Sequence, residues 1–245
     1  MQRITVLATL FLLLLFPAAL RGGAQAPVVP RSDVEEDGLR GLVHSVVSMV
    51  SSVSWESGTP VETGQILLSV WGYDPYGRMK DRSEYGPPKG TLSGHTVYNH
   101  DPEGNLVEKI TYSMGNMVLT RTAISRDASG RVLEERVYDA EGKLQSWTTR
   151  AYRADGKIDY ELVFNADGAL VSRVAKTYGE VGHVSEESVY GPDGSQLMKR
   201  VYQYELDAFE NWTRRTMTEW QGSAASGNPA RVEVVDRVIT YSGWT

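Results

Sequence analysis

The chain has 245 residues, no cysteine and a formal net charge of −6 at pH 7. Without cysteine it has no disulfides, thiolate metal sites or cysteine-linked lipid anchor, and this favours a bacterial envelope protein over a disulfide-rich eukaryotic one. Its charges are not clustered, which argues against a nucleic-acid partner because such a partner requires a basic face.

The N-terminus has the features of an export signal. Arg3 supplies positive charge, the stretch from Ile4 to Phe16 is almost wholly apolar, and Ala26 ends a small-x-small cleavage motif. This order predicts a signal peptide over residues 1–26. The apolar run is too short for a membrane span. We therefore expect export to the periplasm, cell surface or extracellular space, with no transmembrane anchor in the mature chain.

Residues 27–41 are predicted to form a linker that precedes a single β-sheet domain over residues 42–245. Ser32 and Glu35 have the spacing of a capping box, which predicts one helical turn ended by Gly38 and Gly41. The Val- and Ser-rich stretch that follows, 42–55, and the stretch 64–73 are predicted to be strands. After the signal is removed, a single all-β domain of this size is expected.

The central part of the chain repeats every 26 residues. Two interleaved sets of glycines keep this interval, namely Gly104, Gly130, Gly156 and Gly182, and Gly142, Gly168 and Gly194. Nearly every one closes a short turn that begins with an aromatic residue and contains Asp, Asn or Pro, which are residues that favour turns. The pattern predicts an all-β fold, an antiparallel β-hairpin meander of about 14 strands with two strands per repeat. We expect a long curled sheet or an open barrel-like sheet, clearest over residues 72–220.

The repeat also predicts which face of each strand is buried. An aliphatic residue usually follows the turn glycine at +2, and the next aromatic stands at +8 or +10. Because these offsets are even, a regular strand would place both on one face. We therefore expect Ile158, Leu162 and Phe164 to be buried, and Asp159 and Glu161 to be exposed. By the same reasoning we expect Lys157 to be exposed and four further residues to be buried, namely Leu144, Tyr152, Leu170 and Tyr178.

The repeat is less regular near its end. Glu210 stands where a turn glycine is expected, and Asn211 is predicted to adopt the positive φ instead, because Asn tolerates it better than most residues. Residues 221–230 are rich in Gly, Ser and Ala and are predicted to form a loop. Residues 231–241 alternate in polarity and are predicted to close the sheet.

The turn motif resembles the YD-repeat, or Rhs-repeat, family. Residues 73–79 (YDPYGRM), 101–106 (DPEGNL) and 138–144 (YDAEGKL) match its pattern, and the likeness extends over roughly residues 72–220. In large members of that family the repeats form a β-sheet shell that encloses a toxin. This chain contains no toxin domain and no self-cleaving sequence. The resemblance therefore implies a small secreted bacterial repeat protein without the toxin role.

No pattern of catalytic, cofactor or metal-binding residues is present. Acids recur before the turn glycines, at Glu103, Glu141, Asp155, Asp167 and Asp193. A calcium array is one interpretation, but calcium requires convergent oxygens, and turn chemistry explains isolated acids. The histidines, His44, His95, His100 and His183, lack metal-ligand spacing. We expect no metal, no cofactor and no enzyme activity.

Aromatic residues are the best candidates for ligand contact. Tyrosines and tryptophans in phase with the repeat are expected to pack the sheet. Trp147 is the exception, because it stands at +5 from Gly142, on the face opposite Leu144 and Tyr152. It is therefore the one candidate contact residue for a ligand. The other tryptophans are Trp55, Trp71, Trp212, Trp220 and Trp244.

The sequence thus predicts a non-catalytic secreted or cell-envelope repeat protein with a structural or binding role. One alternative is a module that binds carbohydrate or peptidoglycan through off-face aromatics, so a cell-wall glycan or another envelope protein is the expected partner. A second alternative is an outer-membrane β-barrel. Charged residues on both faces of most strands count against it, because a lipid-facing band excludes them.

Overall fold

The computed structural model of the chain describes residues 32–56, 59–86, 90–222 and 229–243. The predicted signal peptide, residues 1–26, lies outside the described residues, as does most of the predicted loop at 221–230. Within the described parts the chain is almost wholly β-structure, with one short helix near the start.

The described residues form one helical turn and 14 strands, which confirms the predicted hairpin meander. The elements are α1 Asp33–Glu36, β1 Val43–Glu56, β2 Thr59–Tyr73, β3 Met79–Gly86, β4 Thr91–His100, β5 Leu106–Ser113, β6 Val118–Arg126, β7 Val132–Asp139, β8 Leu144–Tyr152, β9 Ile158–Asn165, β10 Leu170–Tyr178, β11 Val184–Tyr190, β12 Gln196–Leu206, β13 Trp212–Gln221 and β14 Arg231–Tyr241.

The sheet closes into a barrel. Each strand pairs antiparallel with its neighbours in sequence, and β14 pairs with β1. The closing ladder runs from Val43 opposite Tyr241 to Ser52 opposite Glu233. The sequence predicted a sheet that curls and is closed by residues 231–241, and the structure shows that the ring is complete. A complete ring leaves no open sheet edge and separates a lumen from an outer face.

The hairpin turns lie alternately at the two ends of the barrel. The turns at Gly77, Gly104, Gly130, Gly156 and Gly182 lie at one end, called here the plug end, and those at Gly142, Gly168 and Gly194 lie at the far end. A typical turn begins with Asp74, whose Oδ1 accepts hydrogen bonds from the amides of Tyr76 (2.8 Å) and Arg78 (3.0 Å). Gly77 ends it with φ +76°. Local turn chemistry therefore explains the repeat, as predicted.

One turn differs from the prediction. The residue with positive φ in the β12–β13 turn is Glu210 (φ 63°), and Asn211 does not adopt this conformation. Asn211 is fully buried. Its Oδ1 accepts from the amide of Arg40 (2.7 Å), and its Nδ2 donates to the carbonyl of Arg40 (2.8 Å). The asparagine is therefore used to bind the N-terminal segment, and Glu210 takes the strained position.

A β-bulge follows each of these turns and changes the face of the strand. Tyr152 pairs with Ile158 and Ala151 pairs with Tyr160, so Asp159 has no partner. The corresponding bulge residues elsewhere are Lys80, Ser93, Val107, Leu119, Leu133, Gln145, Val171, Ser185, Leu197 and Thr213. One extra residue reverses the in–out alternation beyond it.

The even-offset prediction of the buried face is therefore wrong for β9. Ile158 faces the lumen before the bulge, but Leu162 and Phe164 face outward after it, and all three are half-buried. Glu161, predicted to be exposed, lines the lumen, and its side chain is only 15% exposed. Asp159 is exposed as predicted. Leu144 and Leu170 also face outward, whereas Tyr152 and Tyr178 face inward; all four are half-buried, as is Lys157, which lines the lumen.

The buried apolar cluster of the described residues lies at the plug end. There the turn tyrosines and the aliphatic residues that follow the glycines face inward, as at Tyr73 and Met79. A buried cluster joins strands β1–β3 to the N-terminal segment and consists of Val34, Leu39, Val43, Val46, Trp71, Tyr73 and Met79. The rest of the lumen is not filled by apolar side chains.

Replacing Gly142 with Ala is expected to destabilise the protein by about 1–2 kcal/mol, because its φ of +83° is unfavourable for a residue with a Cβ. The new methyl group would contact nothing within 4 Å, so the effect measures backbone strain alone. Gly86 is a matched control, with equally open space and no positive φ. Chemical denaturation should show Gly86→Ala within ~0.5 kcal/mol of wild type. Equal effects of the two substitutions would contradict the assigned turn.

Candidate functional site

The lumen holds a concave site lined by titratable side chains. A cavity of about 430 Å³ lies between α1 and strands β3–β10. Its walls carry six basic and six acidic side chains, namely Arg82, Lys109, Arg131, Arg150, Lys157 and Lys176, and Asp33, Glu35, Glu36, Asp37, Glu135 and Glu161. A pocket in which titratable groups converge is the first place to seek a binding function.

An arc of alternating charges follows the lumen wall. This charge belt consists of Lys109, Glu135, Arg150, Glu161, Lys176, Glu187, Arg200 and Glu219. Each member lies on a successive strand from β5 to β13, except that β6 contributes none. The Nζ of Lys109 lies 2.9 Å from Oε1 of Glu135, and Arg150 contacts Glu135 (3.2 Å) and Glu161 (2.9 Å). Every belt acid therefore lies between two cations or at the end of the row.

The belt keeps the carboxylates of Glu135 and Glu161 ionised. Burial alone would raise the pKa of Glu135, but Lys109 and Arg150 outweigh it, and the pKa is lowered. The same balance lowers the pKa of Glu161, where Lys176 and Arg150 outweigh burial. A general acid at neutral pH needs a raised carboxyl pKa. These two carboxyls have the opposite shift, which suits a permanent charge.

An N-terminal segment, residues 32–41 and here called the plug, occupies the mouth of the barrel. The side chain of Asp33 accepts from the Met79 amide (2.6 Å) and lies 2.7 Å from Nε2 of His100. Glu36 forms an ion pair with Arg126. The Ser32–Glu35 capping box holds the helical turn as predicted, and Gly38 and Gly41 have positive φ. Part of the predicted linker is thus packed into the domain.

The plug is tied to the opposite side of the rim as well. The Arg40 guanidinium donates to the carbonyl of Val181 (3.1 Å) and forms an ion pair with Glu210. With the two Asn211 hydrogen bonds, these contacts link the plug to the β10–β11 and β12–β13 turns. Together with the Asp33 and Glu36 contacts they span the mouth.

Asp37 lies at the inner end of the plug. Its carboxylate accepts a hydrogen bond from the Tyr73 hydroxyl (2.8 Å). Enclosure by the barrel raises the pKa of Asp37 to about 6, although the Tyr73 hydrogen bond opposes the shift and Asp33 adds to it. A raised carboxyl pKa makes the native state more stable below pH ~4, and this contribution is lost as pH rises through 6. The side chain remains exposed toward the lumen, which limits the effect.

Three arginines and two tryptophans form a row on the lumen wall across β3, β2, β14 and β13. This arginine–tryptophan row runs Arg82, Trp71, Arg237, Trp212, Arg215. The Arg237 guanidinium carbon lies 4.6 Å from the ring centre of Trp71 and 3.5 Å from that of Trp212. Arg82 lies 4.8 Å from Trp71, and Arg215 lies 5.2 Å from Trp212. Both tryptophans are buried.

Trp147 lies on the outer face, away from this site. Its ring stacks on Phe164, with ring centres 5.0 Å apart and planes at 14°. A shallow depression beside it is lined by Leu144, Arg136 and Asp167 among others. Trp147 faces away from Tyr152 as predicted, but it shares the outer face with Leu144 and Phe164, because the bulge at Gln145 reverses the alternation. Its role in ligand contact stays a prediction.

Several of the remaining candidates have structural partners. His95 stacks on Tyr112 with ring centres 5.0 Å apart, and His100 binds the plug. Asp155 and Asp193 accept hydrogen bonds from amides in their own turns. Across the described ranges, no three His, Asp or Glu side chains are grouped to hold a metal ion. Trp220 is half-buried. The side chain of Trp55 and the whole of Trp244 lie outside what the structure describes.

Sequence reasoning missed the charge belt, although a signal was present. Lys109, Glu135, Glu161 and Glu187 are 26 residues apart, as are Arg150 and Lys176. The 26-residue period of the turns therefore also spaces several members of the charge belt. The arginine–tryptophan row has no such signal, because its members do not keep the 26-residue interval and the contact of Arg237 with Trp71 forms only through barrel closure.

Comparison with known proteins identifies the fold alone. Neither a family model nor a curated protein matches the chain. A porin-like protein from Bacteroides uniformis aligns with 87% of this chain and 100% of its own, at 10% identity and a TM-score of 0.50. A porin-like protein from Bacteroides vulgatus aligns with 84% of this chain and 100% of its own, at 10% identity and a TM-score of 0.44. A LolA superfamily protein from Nitrosomonas europaea aligns with 83% of this chain and 88% of its own, at 10% identity and a TM-score of 0.30.

The first of these likenesses shows a shared overall architecture at low identity. Separately, the described residues contain no helix that is long and apolar enough to cross a membrane. The YD-repeat resemblance stays a prediction.

Replacing Arg150 with Met is expected to destabilise the protein by about 2–4 kcal/mol, because it leaves two enclosed carboxylates facing each other. Arg136→Met is the matched control, since Arg136 pairs with Glu134 on the outer face and is half exposed. Its loss should cost less than ~1 kcal/mol. Urea denaturation at pH 7 would compare the two.

The Arg150→Met deficit should shrink as pH falls through about 4. The lowered pKa values of Glu135 and Glu161 stabilise wild type above their ordinary pKa, and this contribution disappears when they are protonated. A deficit that is independent of pH, or equal for the two arginine variants, would contradict the belt.

Proposed function

We propose that this chain is an exported, non-catalytic β-barrel protein of the bacterial envelope that holds a small ligand in its lumen. The observation that carries the proposal is the contrast between the two faces of the barrel. The lumen contains a polar cavity with a plug at its mouth, whereas the outer face carries paired charges that suit water.

Ion pairs on the outer face argue against a lipid-facing surface. Glu186 contacts Lys199 (2.8 Å) on β11 and β12, and Asp236 contacts Arg214 (2.8 Å) on β14 and β13. Similar pairs join Glu108 to Arg121 and Glu134 to Arg136. A basic side chain at the bilayer midplane costs a barrel about 2–4 kcal/mol. These pairs are distributed around much of the circumference, so we favour a water-soluble barrel over an outer-membrane one.

The electrostatics of the lumen support binding over catalysis. Belt acids and bases neutralise one another, and the lowered pKa values of Glu135 and Glu161 keep these two carboxylates ionised at neutral pH, as suits fixed charges. Export is supported by the apolar stretch from Ile4 to Phe16 and the cleavage motif at Ala26. The repeated turns further support placing the chain among YD-repeat proteins, as a short member without a toxin domain.

Fractionation of a bacterial host that expresses the full chain tests the proposal. We expect a mature form without its signal in the periplasmic extract. It should be soluble without detergent and should produce no ion conductance in planar bilayers. Intact mass locates the cleavage site, and native mass spectrometry detects a retained ligand. A protein that is extracted only with detergent and conducts ions would instead support the outer-membrane alternative.

The glycan alternative has its own test at Trp147. Trp147→Ala removes the outer-face stack on Phe164, and pull-down on cell-wall polysaccharide compares it with wild type. The lumen proposal predicts no polysaccharide binding by either protein. Binding that depends on Trp147 would move the functional site to the outer face.

A further inference from the structure

Arg237 is enclosed in the barrel without an acidic partner. Its Nε and Nη1 atoms are buried and donate no hydrogen bond to the protein. Among the residues that the structure describes, no carboxylate forms an ion pair with it. Its contacts are the faces of Trp71 and Trp212. Enclosing a cation without a hydrogen-bonded counter-charge is costly, and such a group commonly serves a function.

The neighbouring acids do not compensate this charge. Glu84 pairs with Arg82 (3.0 Å) and Glu233 pairs with Arg215 (3.5 Å), at the two ends of the row. Asp37, on the plug, is bonded to the Tyr73 hydroxyl, and its pKa is raised to about 6. The centre of the row therefore carries excess positive charge.

The local field shows this excess. The pKa of Arg237 is lowered to about 9, first by burial and then by the nearby Arg215 and Arg82, while Tyr73 and Asp37 oppose the shift only in part. Arg82 and Arg215 also have a buried Nε without a partner. Three guanidinium groups thus offer unused donors along one stretch of wall.

The row borders the lumen cavity. Arg82 is one of the cavity-lining residues, together with Tyr98 and Asp37. Arg82 and Arg237 contact the same ring, that of Trp71, at 4.8 and 4.6 Å. A group that enters the cavity and reaches Arg82 is therefore one ring away from Arg237. The tryptophan faces supply apolar surface beside the charge.

We propose that Arg237, flanked by Arg82 and Arg215, is an oxyanion-binding subsite of the lumen. It takes the carboxylate or phosphate group of a small ligand, and Trp71 and Trp212 contact the ligand's apolar or ring portion. Guanidinium groups suit such anions because their donors are fixed in a plane and form charge-assisted hydrogen bonds. This inference rests on the proposed function, since it names the ligand class of the same lumen.

The competing explanation is that Arg237 only spaces the two tryptophans. A spacer contributes to stability and has no use for an anion. A binding residue that is unpaired in the free protein lowers stability until the ligand arrives, as expected where function and stability oppose each other. The Arg237→Met variant distinguishes the spacer from the binding residue, because methionine keeps the packing volume and removes the hydrogen-bond donors.

The experiment measures thermal unfolding and tryptophan fluorescence of the mature chain titrated with inorganic phosphate against chloride at matched ionic strength. Wild type should be stabilised by millimolar phosphate and should change its fluorescence. Arg237→Met should melt no lower than wild type in chloride and bind phosphate about tenfold or more weakly. Arg237→Lys should retain part of the response. Arg136→Met, on the outer face, should respond as wild type does and corrects for general salt stabilisation.

Two further probes, acetate and a soluble short-chain phosphatidic acid, identify the source of the oxyanion. Tighter binding of the lipid points to a phospholipid headgroup, and equal responses point to small free acids. A wild type that ignores every probe, or an Arg237→Met variant that keeps the phosphate response, overturns the subsite. A soluble barrel with that result leaves the proposed function standing, whereas a detergent-dependent conducting protein refutes the proposed function itself.

Discussion

The ladder between β1 and β14 is the constraint on which the rest of the structure depends. Nine residue pairs, from Val43–Tyr241 to Ser52–Glu233, join the two ends of a meander that would otherwise expose two long edges. Closure separates an enclosed lumen from an outer face, and successive side chains on each strand then face one or the other. The charge belt lines this lumen along consecutive strands, and Arg237 meets Trp71 because β14 and β2, distant in sequence, face the same lumen.

The lumen differs from an ordinary protein core. Its apolar cluster lies at the plug end, where Val34 and Leu39 of the plug pack with Trp71 and Tyr73. Beyond it, enclosed ion pairs replace hydrocarbon, and such pairs are favourable only when every partner is present. The barrel therefore combines a small core, which fixes the plug, with a polar interior that leaves space for a ligand.

Local chemistry was predictable from the sequence and long-range geometry was not. The turns, the strand count and the capping box at Ser32 follow from residue-level preferences for φ and hydrogen bonding. The buried face of β9 was mispredicted, because the unpaired Asp159 reverses the alternation and a bulge leaves no clear mark in composition. Glu210 took the place predicted for Asn211, because Asn211 binds Arg40, far away in sequence.

The candidate site shows the same division. The belt could be predicted in part, because Lys109 and Glu135 keep the 26-residue period and periodic charges on a closed sheet must meet. Arg237 could not, because nothing near it in sequence indicates that Trp71 lies beside it. Trp147 was selected by its odd offset, and the structure places it outside, in a stack with Phe164.

The most direct test of barrel closure is a disulfide across the β1–β14 ladder. Val47 and Val238 are partners there, and the chain has no cysteine of its own. The Val47→Cys/Val238→Cys double variant should form an intramolecular disulfide under mild oxidation, as the hairpin control Thr149→Cys/Leu162→Cys should across β8 and β9. Mass spectrometry after proteolysis detects both. If the control pair cross-links while the cysteines that replace Val47 and Val238 stay reduced, the sheet is open and the account is contradicted.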